Sequence, residues 1–182
     1  MSGEPRIPAG GRRELGLALW GFTQIAGRVS RTNPPNLFTT LGRHRALFRG
    51  WLAFARRLMP GGRLPRRESE LVILRVAHLR DCAYERAHHI RLGRRAGLDD
   101  ADLARVVDGP AAPGWSPREQ AILRAVDELH AHSDISDETW AALRAHLDER
   151  ELIELVMLAA HYDMLATVIG TLRIAPDSRR RR

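Results

Sequence analysis

At 182 residues and 20.5 kDa, the chain has the length of one ordinary domain and enough material for a real core. Apolar residues at 44% exclude a disordered chain, and no apolar run reads as long enough to span a bilayer. All 29 positive side chains are Arg, set against 22 acids; without the run Arg179 to Arg182 the net charge of +7 falls to +3, so the pI of 11.1 is no argument for nucleic-acid binding.

Taken in chain order, the pattern is helical throughout. Ala, Leu, Arg and Glu dominate, and β-branched runs of period two are absent. Residues 1–13 mix Gly, Pro and Arg without periodicity and predict a loose segment. A helix is predicted over 15–25, and Thr32, Asn33, Pro34 and Pro35 break the chain after it. Residues 37–58 read as a short helix followed by a longer one, ended by Pro60, Gly61 and Gly62.

The next helix opens at Pro65, with Glu68 and Glu70 in its first turns, and runs to about Leu79. After a break at Arg80 and Asp81, another runs from Cys82 to Ala96 and stops at Gly97; a short one follows over 99–107. Ser116, Pro117 and Glu119 form a start signal of Ser at the N-cap, Pro at N1 and Glu at N3, for a helix reaching His132. Ser136 caps a helix to about His146, and the last spans 149–170. Residues 175–182 predict a basic, disordered tail.

These elements predict an all-α bundle of about seven or eight helices, with one domain over 14–174. The last helix is apolar nearly all round, which predicts burial on several sides, including by another subunit. A weak internal repeat sets 67–78 against 150–161 and suggests two similar helical hairpins, although Ala/Leu/Glu-rich helices also resemble one another by chance. The single cysteine, Cys82, cannot form an intramolecular disulfide, and the N-terminus shows no secretory pattern; both predict a reducing, cytoplasmic setting.

The chemistry concentrates between Glu70 and Gly97. Cys82, Glu85 and His89 stand at i, i+3 and i+7, on one helix face, with Tyr84 and His88 further round. A thiol at a helix N-terminus feels the positive end of the dipole, which predicts a thiolate, while the charge of Glu85 opposes it. A neighbouring imidazole accepts its proton, and Glu70 on the preceding helix is the candidate to orient that imidazole. Each residue also has a plainer reading: Cys82 as a small buried side chain, Glu70 and Glu85 as ordinary helix charges, Tyr84 as an interface aromatic. His130, His132, His161 and His78 lack ligand spacing; a divalent metal on Glu70, Glu85 and His89 is disfavoured, and no cofactor fingerprint appears, so neither a metal nor a cofactor is expected.

This segment resembles the carboxymuconolactone decarboxylase family, which includes the alkylhydroperoxidase D proteins. The family pattern is a Glu near the start of one helix, Cys-x-x-Cys-x-x-x-His at the start of the next, then a small residue and Gly. Glu70, Cys82, His89, Ala96 and Gly97 fit it, and the resemblance extends over about residues 30–172. It implies an all-helical fold assembled as a trimer or hexamer. One departure matters, because Glu85 stands where the second Cys belongs and the dithiol cycle cannot run within this chain. The resemblance therefore leaves three readings open. They are a peroxidase-type enzyme using Cys82 with Glu70, Glu85, His89 and Tyr84 and an external thiol reductant, an acid–base lyase or isomerase on a small carboxylated or lactone substrate, and a non-catalytic oligomer that binds a small ligand.

Overall fold

A computed structural model of the chain describes residues 4–30 and 32–178. Among these residues there are ten helices and no β-strand. They are α1 (Arg12–Leu15), α2 (Leu17–Ser30), α3 (Asn36–Leu41), α4 (Arg45–Leu58), α5 (Arg66–Leu79), α6 (Ala83–Arg95), α7 (Asp100–Asp108), α8 (Pro117–His132), α9 (Asp137–Arg144) and α10 (Glu149–Leu172). Only α1 and α3 are shorter than eight residues, so the eight longer helices match the expected number. The described residues group into two compact units, Arg57–Thr167 and the two flanking stretches together.

The flanking unit is held by an aromatic cluster. Phe38 stacks on Phe22 at 5.8 Å and meets Phe48 and Trp51 edge-on at 5.6 and 5.9 Å. Hydrogen bonds join both terminal segments to this unit. The amide of Arg6 donates to the Leu172 carbonyl and that of Gly10 to the Thr39 carbonyl. The Asn36 amide donates to Asp177, and its side chain to the carbonyls of Ala175 and Pro176. Residues 175–177 are thus hydrogen-bonded to the start of α3. Residues 179–182 and 1–3 lie outside the described residues.

The unit Arg57–Thr167 is built around α5. Every residue from Glu68 to Ala77 is buried, and Leu71, Val72 and Ile73 are fully so. Leu71 and Leu74 meet Leu98, Val106 and Leu123 from the surrounding segments, with Ile90, Leu103 and Trp115 packed outside. A helix buried all round must satisfy its polar side chains internally, and α5 does so with ion pairs. Arg75 forks onto Asp127 at 2.6 and 2.8 Å and donates to the carbonyls of Val106 and Val107. Glu68 receives Arg118, which also reaches Glu151 at 2.9 Å, and Arg67 joins Asp102 to Glu119.

A tight turn returns the chain from α5 to α6. The Cys82 amide donates to the Ala77 carbonyl at 2.8 Å, and Asp81 takes a left-handed φ of 45°, which costs a non-glycine residue about 1 kcal/mol. Gly93 leaves room for Leu98 to fold back against the end of α6; a Cβ there would stand 2.7 Å from Leu98 Cδ1. Gly97, at φ 93°, ends the excursion before Asp99 caps α7.

Two expectations are corrected by α10. Its 24 residues include a window of mean hydropathy 1.6, long and apolar enough by length and composition to cross a membrane, although half of that window is buried within the protein. The helix also continues unbroken past His161, where its supposed counterpart α5 turns back into α6, so the internal repeat is a likeness of helix sequence and not of hairpins.

Candidate active site

The site lies within the unit Arg57–Thr167, where the tight turn sets the start of α6 against α5. Cys82 is the N-cap of α6, and Glu85 and His89 follow on its buried face. Glu70 comes from the first turns of α5 and has no exposed surface. His89 Nδ1 lies 2.7 Å from Glu70 Oε2, and His89 Nε2 lies 3.3 Å from Glu85 Oε2. The imidazole is thus held at both nitrogens by carboxylates from two helices. Glu70 is anchored from its other side by Arg66, one turn earlier, at 2.7 Å.

Each arrangement has an electrostatic consequence. Burial works to lower the pKa of His89, but the hydrogen bonds to Glu70 and Glu85, backed by their charges, outweigh it and raise the pKa above its ordinary value. The expectation of a thiolate at Cys82 is reversed. Burial pushes the thiol up, and the charges of Glu85 and Asp81 push the same way, while the backbone amides of Glu85 and Tyr84 oppose them without prevailing. The helix N-terminus does act on the sulfur, but a buried thiol beside two anions keeps its proton.

Tyr84 is buried, and its ring tilts onto His88 at 5.0 Å; what it contributes to Cys82 is its backbone amide. Three further residues border the site: Arg66 and Tyr162, which the sequence did not single out, and His161, which it set aside as lacking ligand spacing. Arg66 compensates Glu70. Tyr162 on α10 sets its ring at right angles to His89 at 5.2 Å, and burial together with the charges of Glu85 and Glu70 holds its hydroxyl protonated. His161 packs against Tyr162 at 5.3 Å and is kept neutral by burial, with the charge of Glu85 acting against that. The i, i+4 spacing of Arg66 and Glu70 was a readable signal, whereas nothing local connects positions 161 and 162 to position 89.

The oxygen Oε1 of Glu85 is buried and accepts no hydrogen bond, in a residue only 4% exposed. An unsatisfied buried carboxylate oxygen is costly, and this one belongs to a residue on the helix face of Cys82 whose charge acts on the sulfur. Among the described residues, no group of three or more His, Cys, Asp or Glu side chains is arranged to hold a metal ion.

Residues 45–128 match the carboxymuconolactone decarboxylase family. No curated protein matches the chain. Among solved structures, an uncharacterized peroxidase-related protein of Ralstonia eutropha JMP134, an alkylhydroperoxidase AhpD core, aligns with TM-score 0.83 at 19% identity over 97% of this chain and 94% of that one. An uncharacterized peroxidase-related protein of Silicibacter sp. TM1040 aligns with TM-score 0.80 at 17% identity, over 97% and 95%. A debrominase in complex with 2,3,4-tribromopyrrole aligns with TM-score 0.80 at 12% identity, over 96% and 93%. At such identities the likeness is one of fold.

Proposed function

The chain belongs to the carboxymuconolactone decarboxylase family through residues 45–128, and on that premise we propose that it is a single-cysteine, peroxidase-type oxidoreductase dependent on an external thiol. The observation that carries this reading is the unpartnered Oε1 of Glu85, in the position of the absent second cysteine and on the face of Cys82. The resting thiol is neutral, so a base is needed at the moment of reaction. Cys82 sulfur attacks the terminal oxygen of a hydroperoxide, an S–O bond forms, and the O–O bond breaks. The thiol proton passes to Glu85 and on to the leaving alkoxide, which departs as an alcohol; Cys82 becomes a sulfenic acid and the peroxide is reduced by two electrons. Glu70 and His89 hold Glu85 in place and buffer its charge. One external thiol then condenses with the sulfenic acid and releases water, and a second frees Cys82 as the thiol, leaving the reductant as its disulfide.

A reducing cytoplasm supplies such thiols, and a homo-oligomer, trimer or hexamer, covers the exposed Ile153, Met157 and Met164 of α10. Peroxide consumption in excess dithiothreitol tests the reading. Wild-type protein turns over, Cys82→Ser does not, and without thiol the reaction stalls after about one equivalent. Turnover by Cys82→Ser refutes it. The raised thiol pKa and the two carboxylates on His89 favour a second reading, in which Glu85 and His89 shuttle protons for a lyase or isomerase. That reading predicts full activity in Cys82→Ser on a lactone or carboxylated substrate.

A further inference from the structure

We infer that Glu85 makes this site select small, neutral electrophiles that carry a hydrogen-bond donor and turn away anions. The inference rests on Cys82 being the reacting atom, and it names the substrate class of that same site. Three observations lead to it. Cys82 is 7% exposed, so an incoming molecule reaches the sulfur only by leaving water. The side-chain charges bearing most on that sulfur, Glu85 and Asp81, are both negative, while the positive charge of Arg66 is spent on Glu70 on the far side of His89. Among the described residues, His89 is held between Glu70 and Glu85, so its charge is shared with those two carboxylates, while burial keeps His161 neutral and Tyr162 protonated. A desolvated anion beside two anions is repelled, and the repulsion is weakly screened where water is scarce.

The free Oε1 of Glu85 supplies the attractive half of the selection. A ligand O–H or N–H satisfies it, whereas a ligand offering only acceptors leaves two lone pairs facing each other. Hydrogen peroxide and small alkyl hydroperoxides meet both conditions through their O–H group. A substrate carrying a carboxylate fails the first condition, which sets the carboxylated substrates of the second reading at a disadvantage.

Alkylation of Cys82 tests the selection without any peroxide. Three probes share an iodide leaving group: iodoacetamide is neutral with an N–H donor, methyl iodoacetate is neutral without a donor, and iodoacetate is an anion. Each rate is divided by the rate for the same chain unfolded in urea, which cancels the intrinsic reactivity of the probe. The ratio of rates to a common thiol also cancels its ionisation. The folded protein is expected to favour iodoacetamide over iodoacetate by about tenfold or more, with methyl iodoacetate between them. Glu85→Gln brings the three normalised rates to within about twofold of one another, while Glu85→Asp keeps the discrimination against iodoacetate. Equal normalised rates in the wild type overturn the inference, and equal rates for iodoacetamide and methyl iodoacetate overturn the donor requirement. If Glu85→Gln fails to fold, the wild-type order decides alone. Clear discrimination in a protein that consumes no hydroperoxide supports the inference and refutes the peroxidase reading, so the two fail separately.

Discussion

Replacing Glu70 by Gln should uncouple His89 from its raised pKa and destabilise the fold most at lower pH. Glu70 is fully buried, its Oε2 lies 2.7 Å from His89 Nδ1, and its partner Arg66 is 37% exposed. Gln keeps the shape and one acceptor but loses the charge, and Arg66 returns to water at little cost. A hydrogen bond to a charged group contributes about 1.5–3 kcal/mol, so the substitution should cost about 2 kcal/mol when His89 is protonated. The folded pKa of His89 is raised, so its contribution is fully present below the unfolded value of about 6.5 and is lost as pH rises through the folded value. The gap between the two proteins should therefore be widest near pH 6 and shrink to under about 1 kcal/mol by pH 9. Urea unfolding across this range measures the gap, and NMR titration of the His89 ring should show its pKa falling in Glu70→Gln. A pH-independent gap, or an unmoved His89 titration, would refute the coupling.

The alkaline limb of Cys82 alkylation should lie above the ordinary thiol value of about 8.5 in the wild type and move down in Glu85→Gln, as followed by reaction rate against pH. Gly93→Ala should destabilise by about 1–3 kcal/mol, because the new Cβ would sit 2.7 Å from Leu98 Cδ1, whereas Gly50→Ala, in open space within α4, should stabilise by up to about 1 kcal/mol; thermal melts distinguish them. The bond from Arg67 leads the interactions that hold the Asp102 carboxyl at about 2, against 3.8 ordinarily. That depressed value contributes roughly 2 kcal/mol above the ordinary pKa and is lost as pH falls toward the folded one, so Asp102→Asn should flatten acid unfolding between about pH 4 and 2. Light scattering at micromolar concentration should give a mass several times 20.5 kDa, and Ile153→Glu on the exposed side of α10 should lower it.

Helix starts and stops were legible in the sequence because they are made by residues three or four apart. Ser116 accepts from the Glu119 amide while Glu119 reaches back to the Ser116 amide, and Asp99 and Asp102 repeat the device at α7. The facing of Glu70 and His89 was readable for the same reason, from two helical spacings joined by a short turn. The state of the thiol was not. A helix N-terminus is a local feature and suggested an acidic Cys82, but burial is a sum over the whole unit, and it prevails together with Glu85 and Asp81. The roles of Tyr162 and His161 were equally hidden, since they stand more than seventy positions from His89 and reach it only because α10 packs there. Nor could composition alone tell that half of the apolar α10 is spent on the protein's own core. Periodicity and capping are decided within a few residues of the chain, whereas burial, desolvation and the field at an ionisable group depend on every neighbour the fold collects, and those were decided only by the tertiary structure.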